Sequence, residues 1–206
     1  MIRLTVLQTL KQCLTGTALS WSLVLLLISA SQPLLAASEK LGTPDTGTAK
    51  TPTSFEAFLA HHLGEETRQP KVLWINGELR KKAEDILGHS FSSLRVRYWG
   101  KGDKTLWVLD EIGKEMPITI GMVVDGGKIS EVRILEYRET RGGEVQYPFF
   151  TSQFKGLTLD DSGNRLNNHI DGITGATLSV AAVRKIAILA LVFHEHTPYS
   201  DLALDQ

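Results

Sequence analysis

The chain has 206 residues, 42% hydrophobic and 22% charged, with 22 Lys+Arg against 23 Asp+Glu. Those proportions exclude a largely disordered chain and a polytopic membrane protein, and a net charge of −1 offers no basic stripe for nucleic acid. The length suits one ordinary domain with a small N-terminal addition, large enough to bury a core without disulfides.

Residues 1–36 read as an export signal. Arg3 and Lys11 give a basic start without an acid, Leu23 to Ile28 form the densest apolar stretch, and Pro33 and Ala36-Ala37 supply a small-residue exit. An uncleaved anchor is the alternative, but the apolar stretch is diluted by Ser and Thr and falls short of the roughly 20 residues a spanning helix needs. Cleavage after Ala36 is therefore expected, leaving a periplasmic or otherwise extracytoplasmic chain with no stable membrane span. That chain would keep 20 basic and 23 acidic residues and lose Cys13, the only cysteine. Disulfides and thiolate metal sites are then excluded.

Ser38 to Thr53 is rich in Thr, Gly, Pro and Lys and reads as a flexible linker over 37–53. Phe55, Phe58, Leu59 and His62 recur at helical spacing before Gly64. After the apolar run Val72 to Ile75, Asn76 is a good N-cap; Leu79, Ala83, Ile86 and Leu87 share one helical face, and Gly88 sits at the C-cap. Residues 54–104 thus read as an N-terminal α/β extension. Alternation at Leu94, Val96 and Tyr98, a turn at 100–103, and strands over Thr105–Asp110, Pro117–Val124 and Ile129–Tyr137 point to an antiparallel sheet. Asp125-Gly126-Gly127-Lys128 is a hairpin signal. A segment from Leu178 to about His194 is apolar nearly all round and should be a buried helix. The fold class expected is α+β, an antiparallel sheet with packed helices, with a domain over 105–196 and a C-terminal tail over 197–206.

Just before that helix stands Asp171-Gly172-Ile173-Thr174-Gly175-Ala176-Thr177. A helix N-terminus carries unpaired N–H groups and a partial positive charge, a natural seat for phosphate. Gly175 and Ala176 are small enough to let a bulky group approach, and Thr177 places a hydroxyl at the entrance. The plainer reading is a capped turn. Neither G-x-G-x-x-G nor a P-loop is present.

This motif resembles the mark of the FMN-binding domain family, [S/T]-G-A-T after an Asp, matched by Asp171, Thr174, Gly175, Ala176 and Thr177. The family includes the C subunit of the sodium-translocating NADH:quinone reductase, the G subunit of the Rnf complex and small exported flavoproteins. The resemblance implies that the Thr177 hydroxyl is esterified to the phosphate of FMN by a separate FAD:protein FMN transferase. Glu139-Thr140-Arg141-Gly142 is similar to the Glu-Thr-Pro-Gly loop beside the flavin in those subunits, with Arg141 in place of Pro. Phe149, Phe150, Phe154 and Gly156 resemble the aromatic–glycine stretch that follows. The function this implies is electron relay with a membrane or periplasmic redox partner; a small-molecule sensor without turnover is the alternative from another class.

Other candidates carry less. His61-His62 and His194/His196 lack the i, i+4 spacing of paired metal ligands and read as solvated helix ends, so no metal site is expected. His169 reads as a surface-loop residue, and Trp74, Trp99 and Trp107 as core or sheet-face packing. Asp160, Asp161 and Asn164 do not continue to a calcium loop. Arg138, Arg141 and Lys155 read as solvated charges, and no catalytic constellation is assigned.

Overall fold

Five strands follow one another in the computed structural model, which describes residues 55–64 and 69–200. They are β1 (Lys71–Trp74), β2 (Arg95–Lys101), β3 (Lys104–Ile112), β4 (Pro117–Asp125) and β5 (Lys128–Tyr137). Each pairs antiparallel with the next, in the order β1-β2-β3-β4-β5. The helices are α1 (Phe55–Leu63), α2 (Gly77–Leu87), the single turn α3 (Pro148–Thr151) and α4 (Thr177–Glu195). The fold is α+β, as the alternation of Leu94 to Tyr137 leads one to expect. The export-signal and linker readings fall on residues 1–53, outside the described residues.

Period-2 alternation sorts side chains to the two faces of the sheet. On β3, Leu106 faces α1 and packs with Phe58, Leu59, Leu63, Trp99 and Val123. Its neighbour Trp107 points the other way, into the main core. There its ring stacks on Tyr98 at 4.9 Å and tilts against Phe193 of α4 at 5.6 Å. Both faces of the sheet are therefore covered, which explains the unbroken burial of β4 from Ile118 through Val124 except at Thr119.

Helix α4 lies across β3 and β4, with α2 against it. It is 19 residues long and apolar enough to cross a membrane, yet two-thirds of its apolar window is buried inside the domain. Val183, Ala187, Ala190, Val192 and Phe193 are fully buried, and each fully buried large aliphatic or aromatic side chain stabilises the fold by about 1.5–3 kcal/mol. Helix α2 starts and stops where Asn76 and Gly88 place it. The Asn76 Oδ1 accepts the Leu79 N–H at 2.8 Å, and the Gly88 N–H donates to the Glu84 carbonyl.

Three readings of the sequence are corrected. The boundary expected at residue 104 falls inside the β2–β3 hairpin, where Lys101 pairs with Lys104, so β1 and β2 share one sheet with the strands that follow. His194 is no solvated helix end: it is buried, and its Nδ1 meets the Thr105 hydroxyl at 2.8 Å. The tail beginning at 197 is packed through Tyr199, whose hydroxyl donates to the Gly100 carbonyl at 3.3 Å.

Candidate functional site

The turn before α4 closes through the Ala176 N–H, which donates to the Ile173 carbonyl at 3.0 Å. Gly175 sits in that turn at φ +84°, a left-handed conformation costly to a residue with a side chain. Ala176 is the N-cap and has no oxygen to cap with; no side chain caps this end of α4. The first ladder bond runs from the Val180 N–H to the Ala176 carbonyl at 2.9 Å. The N–H groups of Thr177, Leu178 and Ser179 precede it and find no acceptor within the helix.

Thr177 is the first residue inside the helix, not its cap. A cap threonine would spend its hydroxyl on its own helix; Thr177, exposed to solvent, does not hold that position. The arrangement joins a positive helix terminus, a small-residue approach and an available hydroxyl. That combination fits a phosphate.

Two grooves meet here. One, of about 580 Å³, is lined by Lys114, Glu115, Glu139, Thr140, Arg141 and residues 175–179. The other, of about 480 Å³, is lined by Thr140 to Glu144, Gln146, Tyr147, Thr174 and Gly175. Both volumes lie within the range of roughly 300–1,000 Å³ common for small-molecule sites. Glu139, Thr140, Gly175, Ala176 and Thr177 thus share one groove, and Thr174 borders the second with Thr140 and Gly175. Asp171 lines neither; its backbone N–H donates to the Gln153 Oε1 at 2.8 Å while the residue is exposed.

The loop from 138 to 142 is held from both ends. Glu139 Oε1 accepts the backbone N–H groups of Lys114, Glu115 and Met116 at 2.5, 2.7 and 3.0 Å, tying the loop to the β3–β4 turn. Those N–H dipoles, Glu115 and Met116 foremost, hold its carboxyl below the ordinary carboxylate range. Tyr137 Oη donates to the Arg141 carbonyl at 2.5 Å and lies 3.0 Å from Ser179 Oγ in the first turn of α4. Gly142, at φ +81°, fits between them: a Cβ there would stand 2.9 Å from Tyr137 Oη and 3.1 Å from Ala176 Cβ.

Other candidates are placed elsewhere. Phe150 and Phe154 are fully buried, with rings 5.4 Å apart edge to face, while Phe149 is exposed. Trp99 and Trp107 are buried, but Trp74 on the edge strand β1 is 67% exposed, against the packing role expected for it. Arg138 is engaged by the Pro117 carbonyl and Thr119 Oγ1, each at 3.0 Å. His169, Arg141 and Lys155 are exposed. A cavity of about 360 Å³ beside Asp160, Asp161 and His194 lies at the other end of α4, about 26 Å from Thr177 at 1.5 Å rise per residue. Asp160 turns inward on its own loop, accepting from Ser162 Oγ at 2.6 Å and the Arg165 N–H at 3.3 Å.

Lys114, Tyr137 and Ser179 escaped the sequence reading. Tyr137 carries a signal, since it stands two residues before Glu139 at the end of an alternating strand. Ser179 was hidden among apolar helix positions.

An antiparallel sheet presents an uncapped helix terminus beside a cofactor-sized groove, an arrangement suited to a cofactor-binding α+β domain. Residues 113–192 match the family model of the FMN-binding domain, a match that supports flavin binding by this part of the chain. The match begins at the β3–β4 turn that Glu139 holds and covers both grooves and nearly all of α4. A search of curated proteins finds no match to the chain.

Proposed function

We propose that this chain is an exported flavoprotein that carries FMN covalently on Thr177 and relays electrons in an extracytoplasmic redox chain. The observation that carries this reading is the exposed Thr177 hydroxyl, one residue inside a helix end that no side chain caps. In the attachment step Thr177 Oγ1 forms a bond to the FMN-side phosphorus of FAD. The phosphorus–oxygen bond to AMP breaks, AMP leaves, and the hydroxyl proton passes to the FAD:protein FMN transferase. The helix N–H groups would then neutralise the phosphodiester charge, with Lys114 and Arg141 bordering the same groove. The bound flavin supplies one- and two-electron chemistry, and the protein supplies position and electrostatics. A covalent link keeps the cofactor where no pool of free FMN can replace it.

Intact mass after extracytoplasmic extraction from cells that make the transferase tests the reading. The expected product starts near Ala37 and carries one FMN less one water. A folded, unmodified chain from those cells would return the protein to the small-molecule-binding reading. A chain still beginning at Met1 in the membrane fraction would replace the cleaved signal with an anchor.

A further inference from the structure

The last turn of α1 carries His61 and His62 side by side, and strand β5 brings Glu131 against them. Their ligating atoms all lie within 4.8 Å of one another. We propose that His61, His62 and Glu131 form a binding site for a divalent zinc-type ion, clasping α1 to the face of the sheet opposite α4.

The geometry of the innermost pair is the main argument. His62 Nε2 lies 3.2 Å from Glu131 Oε2. Two ligands about 2.05 Å from a tetrahedral zinc stand about 3.3 Å apart along the tetrahedron edge. His62 Nε2 is buried, yet it makes no aligned hydrogen bond. In a hydrogen bond the N–H axis points at the oxygen; around an ion, both lone pairs point at a third position beside them. A buried ring nitrogen 3.2 Å from a carboxylate oxygen and without a hydrogen bond to it is compatible with the second arrangement.

The surroundings agree. The Arg133 guanidinium bonds to the other oxygen, Oε1, and leaves Oε2 for an ion. The histidine pair ends a helix, where the dipole favours a cation. His61 is exposed and its ring stands edge to face with that of His62 at 4.8 Å. Two imidazoles and one carboxylate are borderline donors that select zinc, cobalt or nickel over calcium or magnesium. Three protein ligands leave a fourth position to water. Sequence spacing alone misses the site because the third ligand arrives from a strand 69 residues after His62.

The test uses full-length chain freed of metal by chelator and titrated with Co²⁺, whose visible absorption reports four-coordination, followed by Zn²⁺ in competition. One Co²⁺ per chain should bind and be displaced by Zn²⁺. His61→Ala, an exposed change that leaves the fold alone, and Glu131→Gln should each weaken binding by about tenfold or more, since even groups supporting metal ligands cost 10–100-fold. His169→Ala and His196→Ala should bind as the parent does. Absence of stoichiometric binding by the parent chain overturns the proposal. So does equal binding by the parent, His61→Ala and Glu131→Gln, which would locate the ion elsewhere. Zn²⁺ should also raise the melting temperature of the parent and leave that of Glu131→Gln unchanged; a rise equal in both would count against the site.

Discussion

Tyr137 Oη lies 3.0 Å from Ser179 Oγ and joins the end of β5 to the first turn of α4. Residues 42 apart thereby bring the two motifs, Glu139 to Gly142 and Thr174 to Thr177, to the edges of two adjoining grooves. Tyr137→Phe keeps the ring and removes the bonds to Arg141 and Ser179. We expect a loss of about 1 kcal/mol in urea unfolding and reduced flavin incorporation, although Thr177 is untouched. A double-mutant cycle with Ser179→Ala measures the link directly. The paired changes should depart from additivity by at least about 0.5 kcal/mol; strict additivity would mean that the two hydroxyls do not couple.

The same junction leaves no room at Gly142. With φ at +81° and a Cβ landing 2.9 Å from Tyr137 Oη, Gly142→Ala combines backbone strain with a steric clash. The expected cost is about 1–3 kcal/mol. Gly126→Ala is the comparison, because its φ is also positive but its Cβ would meet nothing within 4 Å. Thermal unfolding of both variants separates strain from clash: Gly142→Ala should melt lower.

Covalent attachment predicts a sharp difference between two nearby threonines. Thr177→Val preserves shape at the start of α4, and the buried face from Val180 onward should still pack. It should abolish flavin fluorescence from the denatured protein band, whereas Thr174→Val should retain it. Loss of the signal in Thr174→Val with persistence in Thr177→Val would identify the wrong hydroxyl. A parent chain made with active transferase and showing no fluorescent band would falsify covalent attachment.

Glu139 sets an acid limit on the loop. Its carboxyl lies below the ordinary 4.5 in the folded chain because backbone N–H groups donate to it. The unfolded chain therefore binds more protons in that window, so the contribution is fully present above pH 4.5 and is lost as pH falls through the folded value. Glu139→Gln keeps an oxygen acceptor but cannot titrate. The melting-temperature gap between parent and variant should be widest near neutrality and narrow below pH 4.5. A gap independent of pH would show that the three N–H bonds do not favour the ionised form.

Much of this fold is legible because its signals are local. Alternation in β2 to β5, the Asn76 cap with the Gly88 stop, and the small-residue turn into an apolar helix each lie within a dozen residues. The 104/105 boundary misleads for a different reason. A change from helical to alternating pattern marks a change of secondary structure, but sheet pairing continues across the Gly102 turn. Trp74 shows the limit of residue type as a guide to burial, since the cover that α1 gives the central strands does not extend over the edge strand β1, where Val72 and Trp74 stay exposed. Thr177 could be read from the motif, but not its position inside the helix, which depends on Ala176 taking the cap. His194 was misread because its partner, Thr105, lies 89 residues earlier on another element.

That buried pair supports a last prediction, about the charge on His194. The Trp107 Nε1–H donates to Thr105 Oγ1 at 2.9 Å, and the same hydroxyl lies 2.8 Å from His194 Nδ1. Burial lowers the readiness of His194 to protonate below the ordinary 6.5. His89 is the opposite case: Glu111, itself buried, accepts from it at 3.0 Å and raises it above 6.5. Their effects on stability have opposite signs. The His89–Glu111 contribution is fully present below pH 6.5 and is lost as pH rises through the folded value. The unfolded chain protonates at His194 more readily than the folded one, so stability at that residue falls as pH drops below 6.5. A nitrogen-15 NMR titration should show His89 charging at higher pH than His194, with His194 still neutral while His89 is already protonated. Thr105→Val should disturb the His194 resonances and cost about 1–3 kcal/mol by leaving the Trp107 donor unpaired in the core. A His194 that titrates together with His89 would mean that water reaches the ring and that the Trp107–Thr105–His194 chain does not hold in solution.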